Sequence, residues 1–459
     1  MTLAVVTLAA GKGSRMKSDL PKVLHTLAGK PMLGHVLDSA AQLDQAVQHV
    51  VIGHGAEKVQ QMFEGADVHW AMQTEQKGTG HAVAQAMPEV AEEATVLVLY
   101  GDVPLISTET LSALLAETHH HADDPGGLAL LTVELNDPTG YGRIVRDDAG
   151  NIQAIVEHKD ATEEQRAICE VNTGILAASA SHLNRWLPSL SSNNAQGEYY
   201  LTDIVAMAVE EGTAVRAIFA SSEEEVQGVN DRVQLAHLER VYQFQVAENL
   251  LRQGVAMADP ARIDVRGELI VGRDVFIDVG CVFEGKVTLE DGVKIGPNCV
   301  IKSAHLGTGT RVEAFSLVEE ATTASECVVG PYARLRPGAE LAEQAKVGNF
   351  CEIKKSFVGK GSKVNHLTYV GDAEIGEDVN VGAGTITCNY DGVNKYKTII
   401  GDGAFIGSNS ALVAPANIGA GVTVAAGSVI TSPVDDNQLA VARGRQRNIA
   451  DWKRPEKKV

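Results

Sequence analysis

At 459 residues, 44% of them apolar, and with a mean hydropathy of −0.03, the chain is neither disordered nor fibrous and is long enough for two or three domains with cores of their own. Its formal net charge of −20 speaks against nucleic acid as the main partner, because phosphate backbones select basic faces. No run of residues is long and apolar enough to span a bilayer, so no membrane insertion is expected.

The first apolar run, residues 3–9, has no basic stretch before it and ends in a glycine-rich turn, the wrong flanks for a secretory signal. Strand-like runs recur at 48–52, 95–100, 128–133 and 174–178, with helix-like runs near 32–41, 82–87 and 201–210. This alternation predicts an α/β domain over residues 1–232, Rossmann-like, with helices layered on both faces of a sheet. Leu235, Leu238, Val241, Tyr242, Val246, Leu250 and Leu251 then fall near helical spacing, and Gly254 stops them. Residues 231–253 therefore read as one long connecting helix, with 233–253 taken as the linker between domains.

From residue 254 onwards the period changes. Ile400, Ile406, Leu412, Ile418, Val424 and Ile430 keep a six-residue beat, with Gly401, Gly407 and Gly419 directly after three of them. The beat is already present in Val329, Leu335, Leu341, Val347 and Ile353, again in Val358, Val364 and Val370, and less regularly in Ile263, Leu269 and Val275. Neither a helix nor an ordinary strand repeats in this way. Hexads with one inward aliphatic each give a parallel β-helix, with one short strand and one corner per hexad. Residues 254–459 are expected to form such a solenoid, of roughly ten coils, starting past Asp259-Pro260. The polar run 388–398 interrupts the beat, and loops that leave a repeat often build its site. The tail from Arg443 carries a surplus of Lys and Arg on an otherwise acidic chain, either as a solvated tail or as a contact for a phosphorylated ligand.

Behind the first strand stands Leu8-Ala9-Ala10-Gly11-Lys12-Gly13-Ser14-Arg15-Met16, with Lys22 shortly after. It is neither a Walker A loop nor a dinucleotide fingerprint. Small residues of this kind let backbone N–H groups close on phosphate oxygens, with Arg15 and Lys22 supplying charge, although many such turns only join a strand to a helix. Tyr100-Gly101-Asp102 ends an apolar strand, the place where open α/β sheets bind ligands. A carboxylate there either holds Mg²⁺ with few protein partners, substrate phosphates filling the other positions, or caps the turn before Pro104.

Together with Gln73, Gly78-Thr79-Gly80-His81, Gly140-Tyr141-Gly142, Val156-Glu157-His158-Lys159, Val171-Asn172-Thr173-Gly174 and Gly228-Val229-Asn230, these motifs resemble the sugar-1-phosphate nucleotidylyltransferase family, in order through nearly the whole first domain. Within that family the chain is similar, almost end to end, to the bacterial bifunctional UDP-N-acetylglucosamine pyrophosphorylases that are also glucosamine-1-phosphate N-acetyltransferases. The resemblance implies that Leu8, Ala9, Ala10, Gly11, Arg15, Lys22, Gln73, Gly78, Thr79, Tyr100, Gly101 and Asp102 surround UTP. It implies that Gly142, Glu157 and Asn172 hold the N-acetylglucosamine part and that Asp102 and Asn230 ligate Mg²⁺. The implied chemistry is in-line attack of a sugar-1-phosphate oxygen on the α-phosphorus of UTP, with pyrophosphate leaving. Such a transfer rests on positioning and charge neutralisation, without a protein nucleophile.

In the second half, His366 lies two residues after the inward Val364, with Arg334, Arg336, Lys354, Lys355 and Lys363 within a few coils. On these residues alone it is either an acid-base group beside anion-binding charge or a packing histidine on a solenoid face. The resemblance favours the first, because the run 359–369 and the run 384–392 match the long signatures of the acetyltransferase half. It implies a left-handed parallel β-helix in which His366 is the general base, taking a proton from the glucosamine-1-phosphate amine as that amine attacks the acetyl-CoA thioester. It implies that Arg336 and Lys354 hold the sugar phosphate and that Tyr369, Asn380, Asn389 and Tyr390 line the sugar and catalytic pocket. Ala383, Ser408, Ala426 and Arg443 would line the acetyl-CoA groove, with a backbone N–H near Ala383 steadying the oxyanion. N-acetylglucosamine-1-phosphate would pass to the uridylyl site, and the final product would supply peptidoglycan, lipopolysaccharide and lipid A. The implied assembly is a homotrimer whose acetyl sites draw on more than one chain. The alternative is a nucleotidylyltransferase with a purely structural or regulatory β-helix; a structural prism needs neither His366 nor the 388–398 insertion.

Cys169, Cys281, Cys299, Cys327, Cys351 and Cys388 are dispersed, with no Cys-x-x-Cys pair and no histidine at zinc spacing, as expected of reduced thiols in a cytoplasmic protein. The triplet His119-His120-His121 matches no functional motif and reads as a solvated loop.

Overall fold

The computed structural model describes residues 2–118, 127–455 and 457, so the triplet His119-His120-His121 lies outside the described residues. The chain divides into two compact units, Met1–Tyr242 and Gln243–Val459.

The first unit is built on a nine-stranded sheet. Its main path runs Val215–Phe219, Leu128–Glu134, Glu170–Ser179, Thr95–Tyr100, Leu3–Leu8, Ala46–Ile52 and His69–Met72. All pairs along it are parallel except those of Glu170–Ser179, which is antiparallel to both neighbours. The hairpin of Arg143–Arg146 and Ile152–Val156 joins through Arg143 opposite Val171. Every residue of Leu3–Leu8 is buried. Ala4, Val6 and Leu8 enter one core with Val83, Ala86 and Ile204, while Leu3 and Val5 enter another with Val36, Leu111 and Leu114. A strand covered on both faces needs no polar alternation, which is why these strands read as continuous apolar runs. The layering is the three-layer arrangement expected, with helices at Met32–Ala41 and Thr79–Ala86, and Ile204–Glu210 entered through a 3₁₀ turn at Leu201–Asp203.

The long helix spans Arg232–Arg252, and the boundary between units falls inside it. Within the first unit Leu238 packs with Leu27, Met32 and Val229. Within the second, Ala247 and Leu250 belong to the solenoid core. There the buried Gln243 amide acts as a short piece of strand: its Nε2 donates to the Val265 carbonyl at 2.9 Å and its Oε1 accepts from the Val265 N–H at 2.7 Å.

The second unit is a parallel β-helix. One sheet stacks eleven strands from Ala256–Met257 to Leu439–Ala440. The remaining seventeen strands form one sheet rather than two because Cys281–Leu289 runs through a corner and pairs with both Val300–Lys302 and His305–Leu306. The aliphatics of the beat from Ile400 to Ile430, and those from Val329 to Val370, are buried in a single core. One boundary differs from expectation: Ala256–Met257 already pairs with Phe276–Ile277, so the first coil starts before Asp259-Pro260, held there by Val255 in the core. The interruption is where it was expected, in the long step from Asn380–Val381 to its partner Phe405–Ile406. At one corner, successive coils place Phe315, Tyr332, Phe350 and Leu367 at φ of 59°, 56°, 56° and 52°, a conformation bulky residues seldom adopt. Their first three rings stack, with centroids 5.1 and 5.3 Å apart.

Candidate functional sites

Where the strand Leu3–Leu8 ends, the chain crosses the ends of its neighbours. The Ala9 N–H donates to the Val51 carbonyl at 2.8 Å, and the Gly101 N–H donates to the Leu8 carbonyl at 3.0 Å. Small side chains leave room above this crossing, and a cavity of about 340 Å³ opens there. Ten of the residues named from sequence line it: Leu8, Ala9, Ala10, Gly11, Lys22, Gln73, Gly78, Thr79, Tyr100 and Asp102. Val23, Gln76, Ala82 and Glu198 line it too and were not anticipated; Glu198 comes from a loop that folds back far along the chain, with no local motif to mark it. Gly101 contributes backbone behind the wall, where an added Cβ would meet Leu33 at 3.1 Å. The buried Gln73 amide is fixed by donating to the Gly78 carbonyl at 3.2 Å and by the His81 Nδ1 at 3.0 Å.

The Lys22 ammonium lies against the Asp102 carboxylate and 3.5 Å from the Asn230 Oδ1, to which Arg15 also donates at 2.8 Å. Arg15 and Asn230 do not line the cavity, yet through Lys22 they join the side chain that does. A carboxylate oxygen and an amide oxygen gathered round one cationic group form a hard-oxygen donor pair, which fits Mg²⁺. Among the described residues no three His, Cys, Asp or Glu side chains gather as a metal cluster, so a cation here would draw its other ligands from substrate phosphates and water.

Gly142, Glu157 and Asn172 form a second group beside this one. The Asn172 N–H donates to the Gly142 carbonyl at 2.9 Å, and the Glu157 carboxylate accepts from the Thr202 hydroxyl at 3.2 Å. The buried Asn172 Oδ1 finds no hydrogen-bond partner among the described residues. Burial raises the pKa of Glu157, against the opposing pull of Thr202. Tyr100 links the two groups, its hydroxyl pKa raised by burial and then by the Glu157 and Asp102 carboxylates. The ring fits because the strand Glu170–Ser179 bulges between Asn172 and Leu176, where Gly174 sits at φ 88°; a Cβ there would lie 2.5 Å from the Tyr100 ring.

In the second unit, His366 ends the strand Lys363–His366 and is exposed, its Nδ1 2.6 Å from the Asn349 Oδ1 of the preceding coil. Tyr369 pairs with Glu352, which accepts from Arg336 at 2.8 Å, and Lys354 follows on the same strand. Lys354 has its pKa lowered first by Lys395 and then by Arg336, so three cationic groups converge there. Lys395 belongs to the insertion, which closes as a hairpin with Tyr390 opposite Lys395; it was not anticipated as a site residue. Asn389 donates to the Asp372 carboxylate at 2.5 Å, and Asn380 lies one coil on from Lys363. Ala383, Ser408 and Ala426 each follow the paired residues Val381, Ile406 and Val424 by two positions, and so occupy one corner of three successive coils. Arg443 donates to the Ala426 carbonyl at 2.7 Å, which brings the start of the basic tail to that corner. The buried thiols of Cys281 and Cys299 are not candidates for nucleophilic work: burial pushes Cys281 up to about 11 and Cys299 up to about 12.

Residues 5–142 match the family model of the MobA-like NTP transferase domain, and residues 269–303 and 397–432 match that of the bacterial transferase hexapeptide, six repeats. The bifunctional protein GlmU of Marinobacter nauticus is 60% identical over 455 residues, which cover 99% of this chain and 99% of that one. The same-named proteins of Cellvibrio japonicus and Pseudomonas entomophila are 59% and 58% identical, over 99% and 100% of this chain and 100% and 99% of their own.

Proposed function

The chain belongs to the family of bifunctional GlmU proteins, and from that membership we propose which of its residues carry each of its two reactions. It is an acetyltransferase and a uridylyltransferase in one chain: glucosamine-1-phosphate is acetylated by acetyl-CoA, and N-acetylglucosamine-1-phosphate then receives UMP from UTP.

In uridylyl transfer, Leu8, Ala9, Ala10 and Gly11 leave the cavity floor open for the nucleotide, with Gln73, Gly78 and Thr79 on its wall and Gly101 behind it. Gly142, Glu157 and Asn172 hold the sugar, Glu157 and the unpartnered Asn172 amide oxygen accepting from its hydroxyl and amide groups. The observation that carries this assignment is the gathering of Lys22 and Asp102 at the wall of the cavity with Asn230 and Arg15 behind them. Asp102 and Asn230 would hold Mg²⁺, which when bound neutralises phosphate charge as pyrophosphate leaves. Lys22 and Arg15 add fixed positive charge to the same region.

In acetyl transfer, Arg336 and Lys354 hold the sugar phosphate, with Tyr369, Asn380, Asn389 and Tyr390 along the sugar. Acetyl-CoA lies along the corner of Ala383, Ser408 and Ala426, with Arg443 on its phosphates. As the amine nitrogen bonds to the thioester carbon, His366 takes an amine proton; the C–S bond then breaks, and the proton passes to the leaving thiolate. Two substitutions test the division of labour. His366→Ala is expected to abolish CoA release while sparing pyrophosphate release, and Asp102→Ala to do the reverse; loss of both activities in either variant would refute the assignment.

Two further features complete the proposal. A homotrimer is supported by the exposed apolar ladder Phe315, Tyr332, Phe350 and Leu367, which ends beside the exposed His366. A cytoplasmic location is supported by six free cysteines. Among the described residues no helix is long and apolar enough to cross a membrane.

A further inference from the structure

An imidazole is a base only through the nitrogen that carries no hydrogen, so a histidine general base needs its tautomer set by whatever its other nitrogen touches. For His366 that partner is Asn349, whose Oδ1 lies 2.6 Å from Nδ1. An amide oxygen can only accept. Nδ1 therefore carries the hydrogen, and the lone pair is at Nε2.

The contact is built into the coil. Asn349 stands directly opposite His366 in the pairing of Lys346–Asn349 with Lys363–His366. The strands reach that register because residue 348 is glycine; a Cβ there would lie 2.1 Å from the Asn365 carbonyl oxygen. The Asn349 carbonyl also accepts from the Leu367 N–H at 3.1 Å, so one residue holds both the ring and the backbone that follows it. Asn349 is half-buried while His366 is exposed, so the anchored partner is the amide and the free edge of the ring is Nε2.

We infer that Asn349 is a positioning residue for acetyl transfer, accepting from His366 Nδ1–H so that Nε2 faces the substrate amine as the free base. The inference rests on His366 being that base. In the transition state the same contact steadies the imidazolium that forms, since both ring nitrogens then donate. Being neutral, the amide adds no charge beside the ring, as a carboxylate partner would. The other charges on the strands that flank the ring are Lys346 in the preceding coil and Lys363 in its own; the next coil contributes Asn380–Val381 and no charge. No carboxylate stands on these three strands.

The test measures CoA release against pH for the full-length wild type, Asn349→Ala, Asn349→Asp and His366→Ala, with pyrophosphate release from the same preparations as the control for folding. Asn349→Ala is expected to lower kcat about 10- to 100-fold with little change in KM, as loss of an orienting partner does. Asn349→Asp keeps the acceptor and adds charge, so it is expected to retain activity while its acidic limb moves up by about one pH unit. If Asn349→Asp is as impaired as Asn349→Ala and neither moves the pH profile, Asn349 has only a packing role and the inference falls. If His366→Ala itself still releases CoA at the wild-type rate, the base assignment has failed first. Loss of CoA release in His366→Ala together with unaffected Asn349 variants overturns the positioning role alone.

Discussion

Glu157 shows how one environment sets the working range of a site. Its carboxyl is raised from the ordinary carboxylate value by burial, with Asp160 and Asp203 adding to the rise and the Thr202 hydroxyl opposing it. A raised pKa means that, as pH falls, this group takes a proton before an exposed carboxylate does. Once protonated it is a weaker acceptor for a sugar hydroxyl. The KM for N-acetylglucosamine-1-phosphate is therefore expected to climb on the acid side while exposed carboxylates remain ionised, with the KM for UTP unchanged over the same interval. Glu157→Gln is expected to hold the sugar-phosphate KM high at every pH and to erase that limb. Steady-state kinetics of pyrophosphate release from pH 5 to 8 decide the matter; a limb that persists in the glutamine variant would assign it to another group.

At the scale of elements, the join between the long helix and the first solenoid coil rests on Gln243. Its amide satisfies both the N–H and the carbonyl of Val265, and all of these groups are buried. Gln243→Leu keeps the bulk and strands two backbone groups, at a cost of roughly 2–4 kcal/mol. Hydrogen exchange is expected to quicken along Ile263–Val271 and to stay unchanged along Leu3–Leu8; equal exchange at both would mean that water replaces the amide at no cost. The elements themselves were legible for definite reasons. One inward aliphatic per hexad is forced by coil geometry, and strands covered on both faces, such as Leu3–Leu8, cannot hide in an alternating pattern. The bulge at Asn172–Leu176 and the antiparallel placement of Glu170–Ser179 were not legible, since they depend on the neighbouring Tyr100 ring and on strand order. The site residues carried by local motifs, such as Leu8 to Gly11, Tyr100 and Asp102, fell on the cavity. Those brought in from a distance did not announce themselves: Glu198 arrives on a returning loop, Lys395 on the hairpin, and Asn349 across a coil of 17 residues. Counting back one coil from His366 is the signal that would have found Asn349.

For the whole molecule, the strongest demand for a partner comes from the solenoid corner. On a chain of net charge −20, Phe315, Tyr332, Phe350 and Leu367 form a continuous apolar ridge, each 48% exposed or more. All four hold left-handed backbone that such residues seldom adopt. Ring stacking offsets part of that cost, and burial against other copies of the chain would offset more. Because the ridge runs up to His366, association through it would also enclose an acetyl site that a single chain leaves open, whereas the uridylyl cavity is lined by residues of its own unit alone. The two activities should then respond differently to dilution. CoA release per chain is expected to fall as the protein is diluted through its dissociation range, while pyrophosphate release per chain stays constant. Tyr332→Glu, which places a charge in the middle of the stack, two coils back from His366, is expected to sediment as a monomer, to lose CoA release and to keep pyrophosphate release. A Tyr332→Glu monomer that acetylates at the wild-type rate would show that each solenoid is catalytically complete and that the ridge serves assembly only.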